Sequence, residues 1–72
     1  MLLPQTSLDS SSLQSAAYSA EPATLEITFR SGAIYRYSGV PPLVYQALPD
    51  ATSKGRYFNA VIRSSFRFER IQ

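Results

Sequence analysis

The sequence of 72 residues contains no cysteine and no histidine. Without cysteine the chain can form neither a disulfide nor a thiolate metal site. Without histidine it also lacks the commonest general base. The five acidic residues are scattered, and no Walker or dinucleotide-binding glycine pattern occurs. We therefore expect a protein that is not an enzyme and that has no catalytic residues, no metal site and no cofactor.

Long apolar runs are missing as well. No stretch approaches the roughly 20 apolar residues that a transmembrane helix needs. The opening Met1-Leu2-Leu3-Pro4 has neither the basic region nor the apolar length of a signal peptide. We expect no membrane partner and a cytoplasmic location.

Acidic residues are few toward the C-terminal end. The net charge of +2 is too small for binding of polyanions by bulk charge alone. Its distribution is uneven, because one acid, Glu69, accompanies five bases after residue 53: Lys54, Arg56, Arg63, Arg67 and Arg70. The last third of the chain is therefore locally cationic.

The length of the chain allows one domain, because two separate cores could not each bury enough apolar surface. Nine aromatic residues, five Tyr and four Phe, favour a folded domain over a disordered tail. Residues 1–12 are mostly small and polar, which predicts a flexible N-terminus. The single domain is expected to span residues 13–72.

Alternation of apolar and polar residues predicts strands in the first half of the chain. The clearest runs from Thr24 to Phe29, and a second run follows it after the turn residues Arg30-Ser31-Gly32. Together they predict a hairpin over residues 24–38. A weaker pattern over Gln14–Ser19 predicts a preceding strand with Gln14, Ala16 and Tyr18 on one face.

The length of the hairpin loop sets the register. A two-residue loop would place Arg36 opposite Ile27 on the apolar face. A three-residue loop with Gly32 in the left-handed region instead places Tyr35 opposite Ile27, and Glu26 opposite Arg36. We prefer the second register. In this register the rings of Tyr35 and Tyr37 face the core. The alternative is that both rings are exposed on the sheet and can stack on a ligand.

Two helices and a last strand follow the hairpin. Pro41 and Pro42 suit a first helical turn, and the helix carries an apolar stripe: Leu43, Val44, Ala47 and Leu48. Ser53 is a good N-cap for a second helix over about Lys54 to Arg63. We expect the apolar pair of this helix, Phe58 and Ile62, in the core. A short final strand carries Phe66 and Phe68, which are also expected in the core. The alternative is that some of these residues form an exposed aromatic patch.

These elements predict an α+β fold. It is a small antiparallel β-meander with the 24–38 hairpin at its centre and two short helices packed on one face, in the order β-β-β-α-α-β.

Several separated blocks then resemble the KTSC domain family: Tyr35-Arg36-Tyr37 after Ser31-Gly32, Gly39-Val40-Pro41 with Val44-Tyr45, and Ser53-Lys54-Gly55-Arg56-Tyr57-Phe58-Asn59 with Ile62-Arg63. The resemblance covers roughly residues 11 to 70. The family is named after the C-terminal region of some lysyl-tRNA synthetases. The resemblance implies a bacterial or phage single-domain protein, and it suggests RNA binding.

The first functional hypothesis is a non-catalytic module for RNA or other nucleic acid. The start of the second helix presents backbone amides and cationic side chains, which suit a phosphate. The candidate residues are four phosphate contacts and one stacking ring: Lys54, Arg56, Arg63, Arg67 and Tyr57. The alternative is that this segment is an ordinary solvated helix start.

The second hypothesis is a protein-interaction or assembly module without nucleic-acid binding. So small a chain would gain stability from a homodimer that buries an aromatic patch, or from a partner that adds a strand to the sheet edge.

Overall fold

The computed structural model describes residues 5–72. Five strands form one antiparallel sheet in chain order: β1 (Thr6–Ser7), β2 (Leu13–Ala20), β3 (Ala23–Phe29), β4 (Ile34–Ser38) and β5 (Arg67–Arg70). Two helical elements lie between β4 and β5: α1 (Pro42–Asp50), and α2 (Lys54–Tyr57) with a π-helical continuation (Phe58–Ile62). The order β-β-β-β-α-α-β confirms the α+β meander with two short helices.

The predicted order was one strand short, because β1 was missed. This strand pairs with β2, with Thr6 opposite Ala16, and the following Leu8 is buried. The guanidinium of Arg30 donates to the carbonyls of Leu8 and Ser10. A strand of two residues is too short to show alternation in the sequence, and the composition of residues 1–12 predicts a flexible segment. Residues 1–4 of that segment lie outside the described residues.

The hairpin has the predicted three-residue loop. Gly32 has a φ of +97°, and the amide of Phe29 donates to the carbonyl of Ala33 at 2.9 Å. Glu26 lies opposite Arg36, and the two side chains form an ion pair of 3.1 Å. The predicted register is therefore confirmed.

A β-bulge corrects the predicted pattern of β2. Leu13 pairs with Phe29 but Ser15 pairs with Thr28, so Gln14 is an extra residue. Gln14 is exposed rather than aligned with the core-facing side chains of β2. The bulge lets Leu13 face the core, since strict alternation would have turned it away.

Helix α1 packs with a different face from the predicted stripe. Leu48 is fully buried, but Leu43 is 77% exposed and Ala47 is exposed as well. The ring of Tyr45 stacks on Tyr18, with centroids 4.9 Å apart. This aromatic pair fixes the rotation of the helix about its axis. The predicted stripe was based on aliphatic residues alone, so it did not take this contact into account.

The second helix begins as predicted. The hydroxyl of Ser53 accepts a hydrogen bond from the amide of Arg56, and Phe58 and Ile62 are buried. Its second half is wider than an α-helix, because the amide of Arg63 donates to the carbonyl of Phe58, five residues back. Within residues 5–72, no helix has the length and apolarity needed to cross a membrane.

The hydroxyl of Tyr18 joins the sheet to the entry of α1. It donates to the carbonyl of Val40 at 2.6 Å, and both residues are buried. Tyr18→Phe would leave that carbonyl unpartnered, so we expect the free energy of unfolding to fall by about 1–3 kcal/mol. Urea denaturation measures the change. The matched control is Tyr45→Phe, which removes an exposed hydrogen bond to Thr6. This loss should lower the free energy of unfolding by less than about 0.5 kcal/mol. Equal losses in both variants would contradict the assignment.

Candidate functional site

A groove of about 880 Å³ opens beside the loop between β3 and β4. We call it the aromatic groove. It is lined by five rings, three arginines and six smaller residues: Phe29, Tyr35, Tyr37, Phe58, Phe68, Arg30, Arg63, Arg70, Ser11, Ser12, Ser31, Ala33, Asn59 and Ser64.

The rings of the groove contact one another. Phe58 meets Phe29 and Tyr37 edge to face, with centroids 5.5 Å apart in both pairs. Phe68 is tilted against Tyr35 at 5.7 Å and against Tyr37 at 5.6 Å. These contacts follow from the sheet register, because Phe68 lies opposite Tyr37 and alternate residues of β4 share a face. The rings form a continuous apolar floor.

The floor is buried at one end and exposed at the other. Tyr37 and Phe58 are buried, Tyr35 is half-buried, and Phe68 is 53% exposed. The predicted core position of Phe68 is therefore wrong, while the core assignment of Tyr37 is confirmed. Phe58 packs on rings of β3 and β4, and Phe68 lies beyond them on the edge strand β5. Phe68 instead contributes to an exposed aromatic patch, which was the alternative to a core position.

Three arginines surround this floor. The side chain of Arg30 is held at 3.0 Å by the carbonyl of Ser10, and that of Arg70 at 3.2 Å by the carbonyl of Gln72. The two ion pairs among residues 5–72 both involve Arg36, which lies on the other face of the sheet. No acidic side chain lines the groove in this part of the chain. The groove therefore presents positive charge beside apolar rings.

Two environmental effects act on the hydroxyl of Tyr37. Burial, reinforced by the neighbouring Tyr35, raises its pKa, and the positive charge of Arg63 partly opposes this shift. The hydroxyl therefore stays protonated at neutral pH and keeps a proton to donate.

The structure separates Arg63 and Arg67, which the sequence predicts as phosphate contacts of one site. Arg63 lines the aromatic groove. Arg67 lies on β5 opposite Ser38, on the face that Glu69 shares. Because side chains alternate along a strand, Arg67 points away from the face of Phe68.

The other predicted site residues lie outside the aromatic groove. The ammonium of Lys54 donates to the carbonyl of Ala51, and the hydroxyl of Tyr57 donates to the carbonyl of Val44 at 2.9 Å. Arg56 is exposed. The five predicted residues are therefore not brought together in one site.

The start of α2 is crowded by the chain before β2. A Cβ atom on Gly55 would lie 2.9 Å from the hydroxyl oxygen of Ser12. The small cleft beside it, of about 210 Å³, also contains Asp9, whose carboxylate would oppose a phosphate. The aromatic groove is consequently the better candidate for an anionic ligand.

Arg30, Arg70 and Phe68 are among the groove residues that were not predicted as site residues. One signal was present in the sequence, since Phe68 and Arg70 alternate along the final strand and so share a face. Their position beside Tyr35 depends on the pairing of β4 with β5, which places Arg70 opposite Tyr35. No short-range pattern specifies that pairing.

Relatives of the same length are similar to this chain along almost all of it. An uncharacterised protein of Stutzerimonas stutzeri is 49% identical over 70 residues, which are 96% of this chain and 99% of the relative. The crystal structure of a KTSC domain protein from Yersinia pestis has a TM-score of 0.91 at 36% identity, with 96% of this chain and 97% of that chain covered.

A longer relative contains a similar region. A lysine–tRNA ligase of Nostoc punctiforme is 40% identical over 63 residues, which are 88% of this chain and 11% of the ligase. The similarity therefore concerns a small part of that enzyme. The KTSC domain itself matches residues 9–66. Since this match spans most of the chain and agrees with the fold, the protein belongs to the KTSC domain family.

Proposed function

We propose that this KTSC domain is a non-catalytic module that binds RNA in the aromatic groove. The observation that carries the proposal is the combination of an aromatic floor with Arg30, Arg63 and Arg70 around it and no acid among the described lining residues. Guanidinium groups form strong charge-assisted hydrogen bonds with phosphates. Aromatic rings stack on nucleobases of any sequence. A nucleic acid offers both kinds of group at once.

The relatives favour RNA as the nucleic acid. Enzymes named lysine–tRNA ligase contain a region similar to this chain. Their name states that they act on a tRNA. A small domain of such an enzyme that binds RNA would help to hold that substrate, and the groove offers a surface for the contact.

The experiment is a titration of a labelled single-stranded RNA of about 12 nucleotides, followed by fluorescence anisotropy at several salt concentrations. If three arginines neutralise three phosphates, the logarithm of the association constant should fall with the logarithm of the salt concentration with a slope of about −2. A DNA strand of the same sequence tests whether the ligand class is RNA in particular. No binding of either strand at about 50 mM salt would overturn the proposal.

A second candidate function is assembly through β5. This edge strand has one neighbour in the sheet, and the side chains of Phe68 and Ile71 are exposed at it. Two copies paired antiparallel about Phe68 would place Arg67 of each copy opposite Glu69 of the other, a favourable charge pairing. Light scattering decides between monomer and dimer. A dimer that Arg67→Glu dissociates would support assembly, and a monomer at high concentration would exclude it.

A further inference from the structure

Building on the proposed function, we infer that the aromatic groove takes one unpaired base flat against Phe68, with the adjoining phosphates on Arg63 and Arg70. The groove would then distinguish single-stranded from double-stranded RNA.

The exposure of the floor limits stacking to one principal ring. Phe58 and Tyr37 are engaged edge to face and are buried, so their faces are closed to a ligand. Phe68 is 53% exposed and touches the floor through its tilted contacts with Tyr35 and Tyr37. These two contacts hold its ring in place while part of it remains open. A ring held in this way can receive a base with little loss of side-chain entropy.

Two cations from different elements line the groove together with this ring. Arg70 is two residues from Phe68 on β5 and shares its face, where it pairs with Tyr35. Arg63 directly follows the π-helical turn that ends at Ile62, and it also lines the groove. A base in the chain has one phosphate on each side of its nucleotide. Two guanidinium groups from separate elements, in one groove with Phe68, therefore match in number the two phosphates that flank a single stacked base.

The amide of Asn59 adds a polar group to the same groove. It is exposed and lines the groove, and its carboxamide can both donate to and accept from the edge of a base. In a duplex that edge is paired and both faces of each internal base are covered by its neighbours. A duplex could touch the arginines with its phosphates but could not place a base on Phe68.

Three labelled RNA probes with strands of equal length test the inference by anisotropy at fixed salt: a single-stranded oligouridylate, a strand with the same phosphates but no bases, and a blunt-ended duplex of two fully complementary strands. We expect the single strand to bind the protein about 5- to 140-fold more tightly than the other two, which is the range for loss of one stacked base. Equal affinity for all three would overturn the single-base inference and leave RNA binding through phosphates intact. Binding of none would overturn both.

Substitution of Phe68 gives an independent readout. Phe68→Leu keeps an apolar side chain without a ring, and Phe68→Trp keeps a stacking surface. Because Phe68 is half exposed, both variants should fold, which circular dichroism checks. We expect Phe68→Leu to lose the preference for the single strand while its weak duplex binding is unchanged, and Phe68→Trp to retain the preference. Retention of the full preference by Phe68→Leu would overturn the inference.

Discussion

Replacement of Leu48 by alanine should lower the free energy of unfolding by about 2–5 kcal/mol. The side chain of Leu48 is fully buried on α1 and belongs to the core cluster beneath the helices. Its truncation removes apolar contacts and leaves a cavity that a close-packed interior fills only in part. Natural domains are stable by roughly 0.05–0.15 kcal/mol per residue, so one such change would remove a large share of the stability of this chain.

The control is Leu43→Ala, which deletes the same atoms five residues earlier on the same helix. Leu43 is 77% exposed, so the loss should stay below about 0.5 kcal/mol. Urea denaturation followed by circular dichroism gives both values. The slope of the unfolding free energy against urea concentration should be the same in both variants as in the unmodified protein. Since the apolar stripe had grouped Leu43 with Leu48, equal losses would show that the helix packs with the face predicted from sequence and not with the face in the structure.

The hairpin was predictable because local rules determine it. Gly32 can adopt a positive φ without strain, and the register that this residue permits also pairs Glu26 with Arg36. Three kinds of information therefore agreed: turn chemistry, alternation and charge. The cap at Ser53 was predictable for the same reason, since its partner is the amide of Arg56, three residues away.

The rotation of α1 was not predictable from the pattern of aliphatic residues. Tyr45 stacks on Tyr18, which lies 27 positions earlier in the sequence and whose hydroxyl also holds the carbonyl of Val40. Contacts between distant segments decided which face of the helix is buried. The bulge at Gln14 is a similar case, because the position of Leu13 over the core depends on its pairing with β3.

The aromatic groove was not predictable because its cations are far apart in sequence. Arg30 belongs to the hairpin loop, Arg63 follows the second helix, and Arg70 ends β5. The cationic residues predicted as one site are close along the chain, but they diverge in the fold. The fold instead brings together Arg30, Arg63 and Arg70, which are distant in sequence. They line a groove with aromatic rings, and a core position had been predicted for most of these rings.

Charge reversal at Arg63 is the functional change with the largest expected effect. Arg63→Glu places a carboxylate in a groove that has no acid among its described lining residues. It removes one charge-assisted contact with a phosphate and adds repulsion, so we expect RNA affinity to fall by at least about tenfold, the equivalent of 1.4 kcal/mol. The slope of the logarithm of the association constant against the logarithm of the salt concentration should also become shallower, by the amount expected for one lost phosphate contact. Anisotropy titrations at several salt concentrations measure both.

Arg67→Glu is the matched control, because it makes the same change in net charge four residues away. Arg67 lies on the outer face of β5, where side-chain alternation turns it from the groove. If the groove binds the phosphates, Arg67→Glu should alter affinity by a small factor that disappears at high salt, since it acts only through the long-range field. Equal losses in the two variants would show that RNA responds to the overall cationic charge of the C-terminal third. In that case the phosphate contacts would not be localised to the aromatic groove.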